Sequence, residues 1–179
     1  ALAYNTTANF NVAMGQAAIH VNTTGASNTG LGYYALGSNT TANNNTAVGK
    51  QALYENTTGT QNVAVGANAL DANTTANNNV AVGHESLTAN TTGSQNVALG
   101  AYALDSNTTA DYNTAVGVNA CGATTTGASN TAVGNGALGA CTTGQRNDAF
   151  GASALQNITT GMDNVGIARQ SFPNLTTGN

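Results

Sequence analysis

The chain has 179 residues, of which 22 are Gly and 1 is Pro, with 3 Lys/Arg against 7 Asp/Glu, no Trp and 3 Phe. A formal charge of −4 is too small and too scattered to steer the chain toward nucleic acid or an anionic membrane surface. No apolar run reaches the roughly 18 to 20 residues of a membrane helix. The apolar fraction rests on Ala, Val and Leu, which implies a thin core, and the polar remainder is mostly Asn and Thr, which implies a neutral, hydrogen-bonding surface.

Residues 1–10 are the end of an incomplete repeat, so the chain reads as a piece of something longer. From there Asn recurs at Asn11, Asn28, Asn45, Asn62, Asn79, Asn96, Asn113, Asn130, Asn147 and Asn164, each 17 residues after the last, with no insertion or deletion. The consensus is N-[TV]-A-[VL]-G-x-x-A-L-x-x-N-T-T-[GA]-x-x, as in Asn45 to Gln61. An internal period of this length signals a stacked repeat architecture.

A helical solenoid is rejected first. Gly, Asn and β-branched Thr or Val recur at fixed points, all poor helix formers, and no run accommodates two helices. The expected fold is all-β, a β-solenoid or β-roll of about ten 17-residue turns. Two short parallel strands are predicted per turn, one over N-T-A-V-G and one over the A-L and N-T-T stretch. The Gly at the fifth position suits a corner with positive φ or close approach between turns. Stacked at roughly 4.8 Å per turn, ten turns make a rod core of about 50 Å.

The rows assign the candidate residues. The always-apolar fourth position, with Val48, Val65, Val82, Leu99, Val116 and Val133, and the ninth, with Leu53, Leu70, Leu87 and Leu104, are predicted to form the core. The Asn row Asn22, Asn39, Asn56, Asn73, Asn90 and Asn107, and the Thr row Thr24, Thr41, Thr58, Thr75, Thr92 and Thr109, are predicted to form polar ladders bonding turn to turn. Side chains alternate along a strand, so Val63 and Val65 point one way and Ala64 the other. The near-invariant Ala row then reads in two ways. Either both faces of the strand are buried, one on its own coil and one against a neighbouring chain, or a small Ala is tolerated outside.

The turn from 164 onward degenerates, with Ala168 for Gly, Ser171 for Ala, Phe172 for Leu, and Pro173. This divides the chain into tandem repeats over 1–163 and a terminal repeat, cap or junction over 164–179.

The N-T-A-V-G-x-x-A-L-x-x-N-T-T-G unit resembles the shaft repeats of phage tail-fibre-type proteins, and it is similar to the S-V-A-I-G repeats in the heads of trimeric autotransporter adhesins. The resemblance covers the whole chain. It implies a homotrimer of β-rolls and, in tail-fibre arrays, a following self-cleaving chaperone domain. The adhesin-head period is typically shorter than this one, so coil shape is expected to differ.

Motifs with chemistry are few. Gly134, Gly136 and Gly139 spell G-x-G-x-x-G, but no helix is predicted after them, as a dinucleotide site requires. The carboxylates Glu55, Asp71, Glu85, Asp105, Asp111, Asp148 and Asp163 scatter over the repeat. Asp71 and Asp105 alone share a position, two turns apart, which does not make the facing pair of a glycosidase. His84 and Glu85 are adjacent, so on a strand they would point apart. The calcium-binding nonapeptide signature is absent. Cys121 replaces a core Leu and Cys141 a ladder Asn, and no bridge between them is expected. The N-T-T rows create glycosylation sequons at Asn5, Asn22, Asn39, Asn56, Asn73, Asn90 and Asn107, and others stand at Asn157 and Asn174.

The expected function is therefore a structural fibre shaft or adhesin stalk, extracellular, on a cell surface or virion, for surface attachment or host recognition. It would be trimeric, with a surface glycan or protein receptor as partner, and with no nucleic acid, membrane insertion, cofactor, metal or catalysis. The alternative is an ice-binding β-solenoid that uses ranked Thr and Asn rows.

Overall fold

Each repeat sets Ala, or Gly at Gly30 and Gly166, between two residues that are β-branched or apolar except at Asp148, and that triplet is extended in every turn. The computed structural model describes residues 1–178 and contains ten three-residue strands: β1 (Val12–Met14), β2 (Thr29–Leu31), β3 (Thr46–Val48), β4 (Val63–Val65), β5 (Val80–Val82), β6 (Val97–Leu99), β7 (Thr114–Val116), β8 (Thr131–Val133), β9 (Asp148–Phe150) and β10 (Val165–Ile167). They form one parallel sheet in chain order. Each strand pairs with the equivalent residues of the next, Ala47 with Ala64 and Val48 with Val65 for example. The chain is a β-solenoid with no helix among the described residues.

There is one strand per turn, not two. The A-L stretch stacks through backbone hydrogen bonds, but its residues alternate the sign of φ: Gln51 has φ 55° and Leu53 φ 52°, and the equivalent positions repeat this through the array. The N–H of Gln51 donates back to Tyr33 O at 2.8 Å, while that of Leu53 donates forward to Ala69 O at 3.0 Å. Left-handed non-Gly residues cost roughly 1 to 2 kcal/mol each. They persist because the N–H groups of alternate residues are satisfied by the turns on either side, while the N–H of Ala52 between them donates to Gly49 O of its own turn at 3.4 Å as the chain turns back on itself.

The strand also faces the other way from expectation. Ala47, Ala64, Ala81, Ala98, Ala115, Ala132 and Ala149 are fully buried, as are Leu53, Leu70, Leu87 and Leu104. The fourth-position residues Val48, Val65, Val82, Leu99, Val116 and Val133 lie on the outer face; Val82, Leu99 and Val133 are 38, 37 and 36 % exposed. The reason is width. A Cβ placed on Gly30, which stands in the Ala row, would lie 2.7 Å from Ile19 Cγ1 and 3.1 Å from Ala35 O. The interior holds one large side chain in most turns; the fully buried Ala row shows room opposite for at most a methyl group, and beside Ile19 not even that, so a Val there would overpack it.

Two Asn ladders flank this core, and both are buried. In the twelfth-position row, Asn73 Nδ2 donates to Asn56 Oδ1 at 2.9 Å and to Ala76 O at 3.2 Å, and Asn90 Nδ2 donates in turn to Asn73 Oδ1 at 3.1 Å. In the row that opens each repeat, Asn62 Nδ2 donates to Ala76 O at 2.8 Å, and Asn62 Oδ1 accepts the backbone N–H of Asn79 at 2.9 Å. This second ladder was visible in the sequence only as the register mark.

The hydroxyl ladder runs through the first Thr of each pair rather than through Thr24, Thr41, Thr58, Thr75, Thr92 and Thr109. Thr57 Oγ1 donates to Thr74 O at 3.1 Å and Thr74 Oγ1 to Thr91 O at 3.1 Å, while the second Thr of each of these pairs is exposed.

The twelfth-position ladder ends at Asn107, where Thr124 takes the next place. Asn107 Oδ1 and the Thr124 hydroxyl are buried without a partner, although the weakly bonding Cys121 thiol lies near the hydroxyl. Replacing Thr124 by Asn should supply a donor to Asn107 and stabilise the array by about 1 kcal/mol. Asn73→Ala should do the reverse, stranding the Asn56 carbonyl at a cost of about 1 to 3 kcal/mol. Opposite shifts of the urea midpoint, at unchanged slope, are the expected readout.

Candidate functional site

Because the narrow interior takes the Ala row, the strands present their bulkier residues outward. The second and fourth positions form two parallel ranks: Thr46, Val63, Val80, Val97, Thr114 and Thr131 beside Val48, Val65, Val82, Leu99, Val116 and Val133. Nine steps of roughly 4.8 Å make this stripe about 43 Å long. It carries one charge, Asp148, in the second-position rank. The ranks continue into Phe150 and Ile167, which are 42 and 69 % exposed. A contiguous apolar face of this kind marks an interaction surface.

Sequence reasoning saw the alternation but placed the bulky rank inside. The signal that could have corrected it is size. When one face of a strand is Ala or Gly in every turn and the other carries larger residues, the uniformly small face belongs in a narrow coil. Both ranks are therefore surface residues, while Leu53, Leu70, Leu87 and Leu104 remain core as expected.

The other sequence candidates do not converge. Among the described residues no group of three or more His, Cys, Asp or Glu side chains is placed to hold a metal ion, and no helix is long and apolar enough to cross a membrane. His84 and Glu85 lie in the turn beyond the strand and do not point apart, their Nε2 and Oε1 being 3.7 Å apart. His84 also meets the ring of Tyr102 edge-on at 5.3 Å, and the His84 and Glu85 side chains are both solvent-accessible. Gly134, Gly136 and Gly139 are followed by turns and another strand.

Cys121 and Cys141 are both free and buried. Burial pushes the Cys121 thiol up to about 12 and the Cys141 thiol up to about 11, so neither is a ready nucleophile. The sequon residues Asn22, Asn39, Asn56, Asn73, Asn90 and Asn107 are fully buried, and the amides from Asn22 to Asn107 are committed to the ladder. In the folded coil they cannot line the rod with sugar; Asn157 and Asn174 are exposed.

No family model, curated protein or solved structure matches the chain.

Proposed function

We propose that the chain is a shaft segment of a homotrimeric extracellular fibre, an adhesin-type stalk that attaches to or spaces a surface, without catalysis. The observation that carries this reading is the outward apolar stripe of β1 to β10. A second copy lying parallel has the same ranks at the same spacing, so Val, Leu and Thr of one coil can interdigitate with those of another from β1 to β8, short of Asp148 in β9. A partner of another fold would match such a ladder over only a strand or two. The number three comes from the resemblance to trimeric adhesin heads. Association also suits a coil whose own core holds only one large side chain per turn, because slender folds bury too little apolar surface alone.

Sedimentation equilibrium tests this reading. Three times the chain mass with an elongated shape is expected, and a monomer at micromolar concentration overturns the assembly.

A second reading has a specific observation behind it. On a solitary coil, the Thr-x-Val ranks of Thr46, Thr114 and Thr131 and the exposed column from Thr24 to Thr109 would order water at regular spacing, as an ice-binding face requires. The Asn rows, being buried, contribute nothing to such a face. Thermal hysteresis shown by a monomer would favour ice binding over the shaft.

A further inference from the structure

On a different side of the coil the array departs from its own pattern. The tenth position is Tyr54, Asp71, Thr88 and Asp105 in successive turns, and then Gly122 and Gly139; the seventh is Tyr102, Asn119 and then Gly136. Where the side chains shrink, a groove of about 500 Å³ opens. No residue of the outward stripe lines it, so association through the stripe leaves it accessible.

The ends of the groove are polar and differ in character. At one end stands the Asp105 carboxylate, whose Oδ1 lies 3.5 Å from where a Cβ on Gly122 would be. A methyl at 122 would rest in ordinary contact with it, and a longer side chain would fill the groove beside it. Burial pushes the Asp105 carboxyl above its usual range, with the backbone N–H groups of Ser106 and of Asp105 itself opposing that shift. At the other end, a Cβ on Gly136 would meet Ser153 Oγ at 3.7 Å and Gln156 Nε2 at 4.0 Å. Asn119 and Asn157 add amides to the lining. From Asp105 to Gln156 is three turns, about 14 Å, the length of a short oligosaccharide.

The lining narrows the ligand class. Lys50, Arg146 and Arg169 all lie outside it, so nothing there neutralises a phosphate, a sulfate or a sialic acid. No Leu, Val or Phe lines it either, so a lipid or an apolar peptide gains little. What remains is a row of uncharged donors and acceptors with one partly desolvated carboxylate, which suits a molecule that presents hydroxyls along its length. Tyr102, 38 % exposed and one turn before Asn119 in the same column, stands outside the lining with its ring against His84.

We propose that this groove binds a linear neutral oligosaccharide of about two or three rings along the rod axis, with Asp105 accepting from hydroxyls at one end and Ser153 and Gln156 bonding them at the other. The proposal deepens the stalk reading, since it places a surface-glycan contact on the shaft itself.

The test is calorimetric titration of the chain with linear neutral tri- and tetrasaccharides of glucose, mannose and N-acetylglucosamine, alongside a sialylated trisaccharide. Gly136→Tyr fills the groove with a residue that the array already carries at that position: Tyr34 and Tyr102 have φ 57° and 58°, against 64° at Gly136. Gln156→Ala removes one end without filling anything. Binding of at least one neutral saccharide is expected, weakened about tenfold or more by each variant, the loss of one or two hydrogen bonds. Circular dichroism should show both variants folded. The proposal is overturned if no neutral saccharide binds, if the filled variant binds as well as the parent, or if the sialylated probe is preferred. Mass measured on the same sample separates this result from the shaft reading: a trimer without saccharide binding removes only the groove, and a monomer that binds removes only the shaft.

Discussion

Paired replacement of Val65 and Val82 by Lys is expected to return the assembled chain to single coils while leaving each coil folded. Both residues sit in the outward rank, where Val82 is 38 % exposed in the solitary coil, so a Lys there can carry its ammonium into water along a flexible stem. Each replacement costs the fold about 0.5 kcal/mol at most, as for surface substitutions generally, and repulsion between the two stacked ammonium groups adds up to about 1 kcal/mol. In the assembly the same ammonium would be sealed against the Val and Thr ranks of a neighbour without a partner charge, and an uncompensated buried charge costs about 3 to 5 kcal/mol.

That corresponds to at least about a hundredfold in the association constant for each replacement. Sedimentation and far-ultraviolet dichroism read the two consequences separately, and persistence of the assembled mass would exclude the stripe as the contact. Ala64→Lys is the complementary control. It lies on the same strand but points into the fully buried interior, so it should unfold the turn whether or not the chains associate.

The second large effect concerns the corner glycines. Gly66 has φ 139°, and a Cβ on it would lie 2.3 Å from Gly83 O and 2.6 Å from Gly83 C. Both are backbone atoms of the next turn. They cannot retreat without pulling on the N–H of Gly83, which donates to Val48's successor Val65 at 2.8 Å. Gly66→Ala is therefore expected to cost more than about 4 kcal/mol, the range reserved for special backbone positions and lost networks. Gly122→Ala is the internal contrast. Its Cβ would meet nothing nearer than 3.4 Å, and a change within about 0.5 kcal/mol is expected. Thermal melts of the two variants beside the parent check both values, and equal destabilisation would refute the argument from close approach.

These two predictions rest on one geometric fact, the stacking of turns at strand spacing. Where stacking brings backbone against backbone, at the fifth position, only Gly fits in the successive turns from Gly15 to Gly151; Ala168 takes the position with φ 109°. Where it brings amide against amide, each side chain from Asn22 to Asn90 is both donor and acceptor, which is why the row is Asn rather than Asp or Leu.

Much of this was legible in the sequence because it depends on period alone. An unbroken spacing of 17 residues places equivalent residues above one another whatever the path of the turn, so the parallel solenoid, the Leu core row, the Asn ladder and the special role of Gly at the corner followed from counting. The path within one turn did not follow. Whether A-L is a second strand depends on whether its N–H groups are satisfied by extended chain or by alternating φ, and by residue type Gln51 and Leu53 disfavour the positive φ that they adopt.

The direction in which Ala64 faces was likewise open, because alternation separates it from Val63 and Val65 without saying which side is inside. The interior width decided both points. One Leu per turn leaves a methyl's space opposite, so Ala turns inward, the branched ranks turn out, and the surface available for a partner is the one that the sequence pattern had assigned to the core.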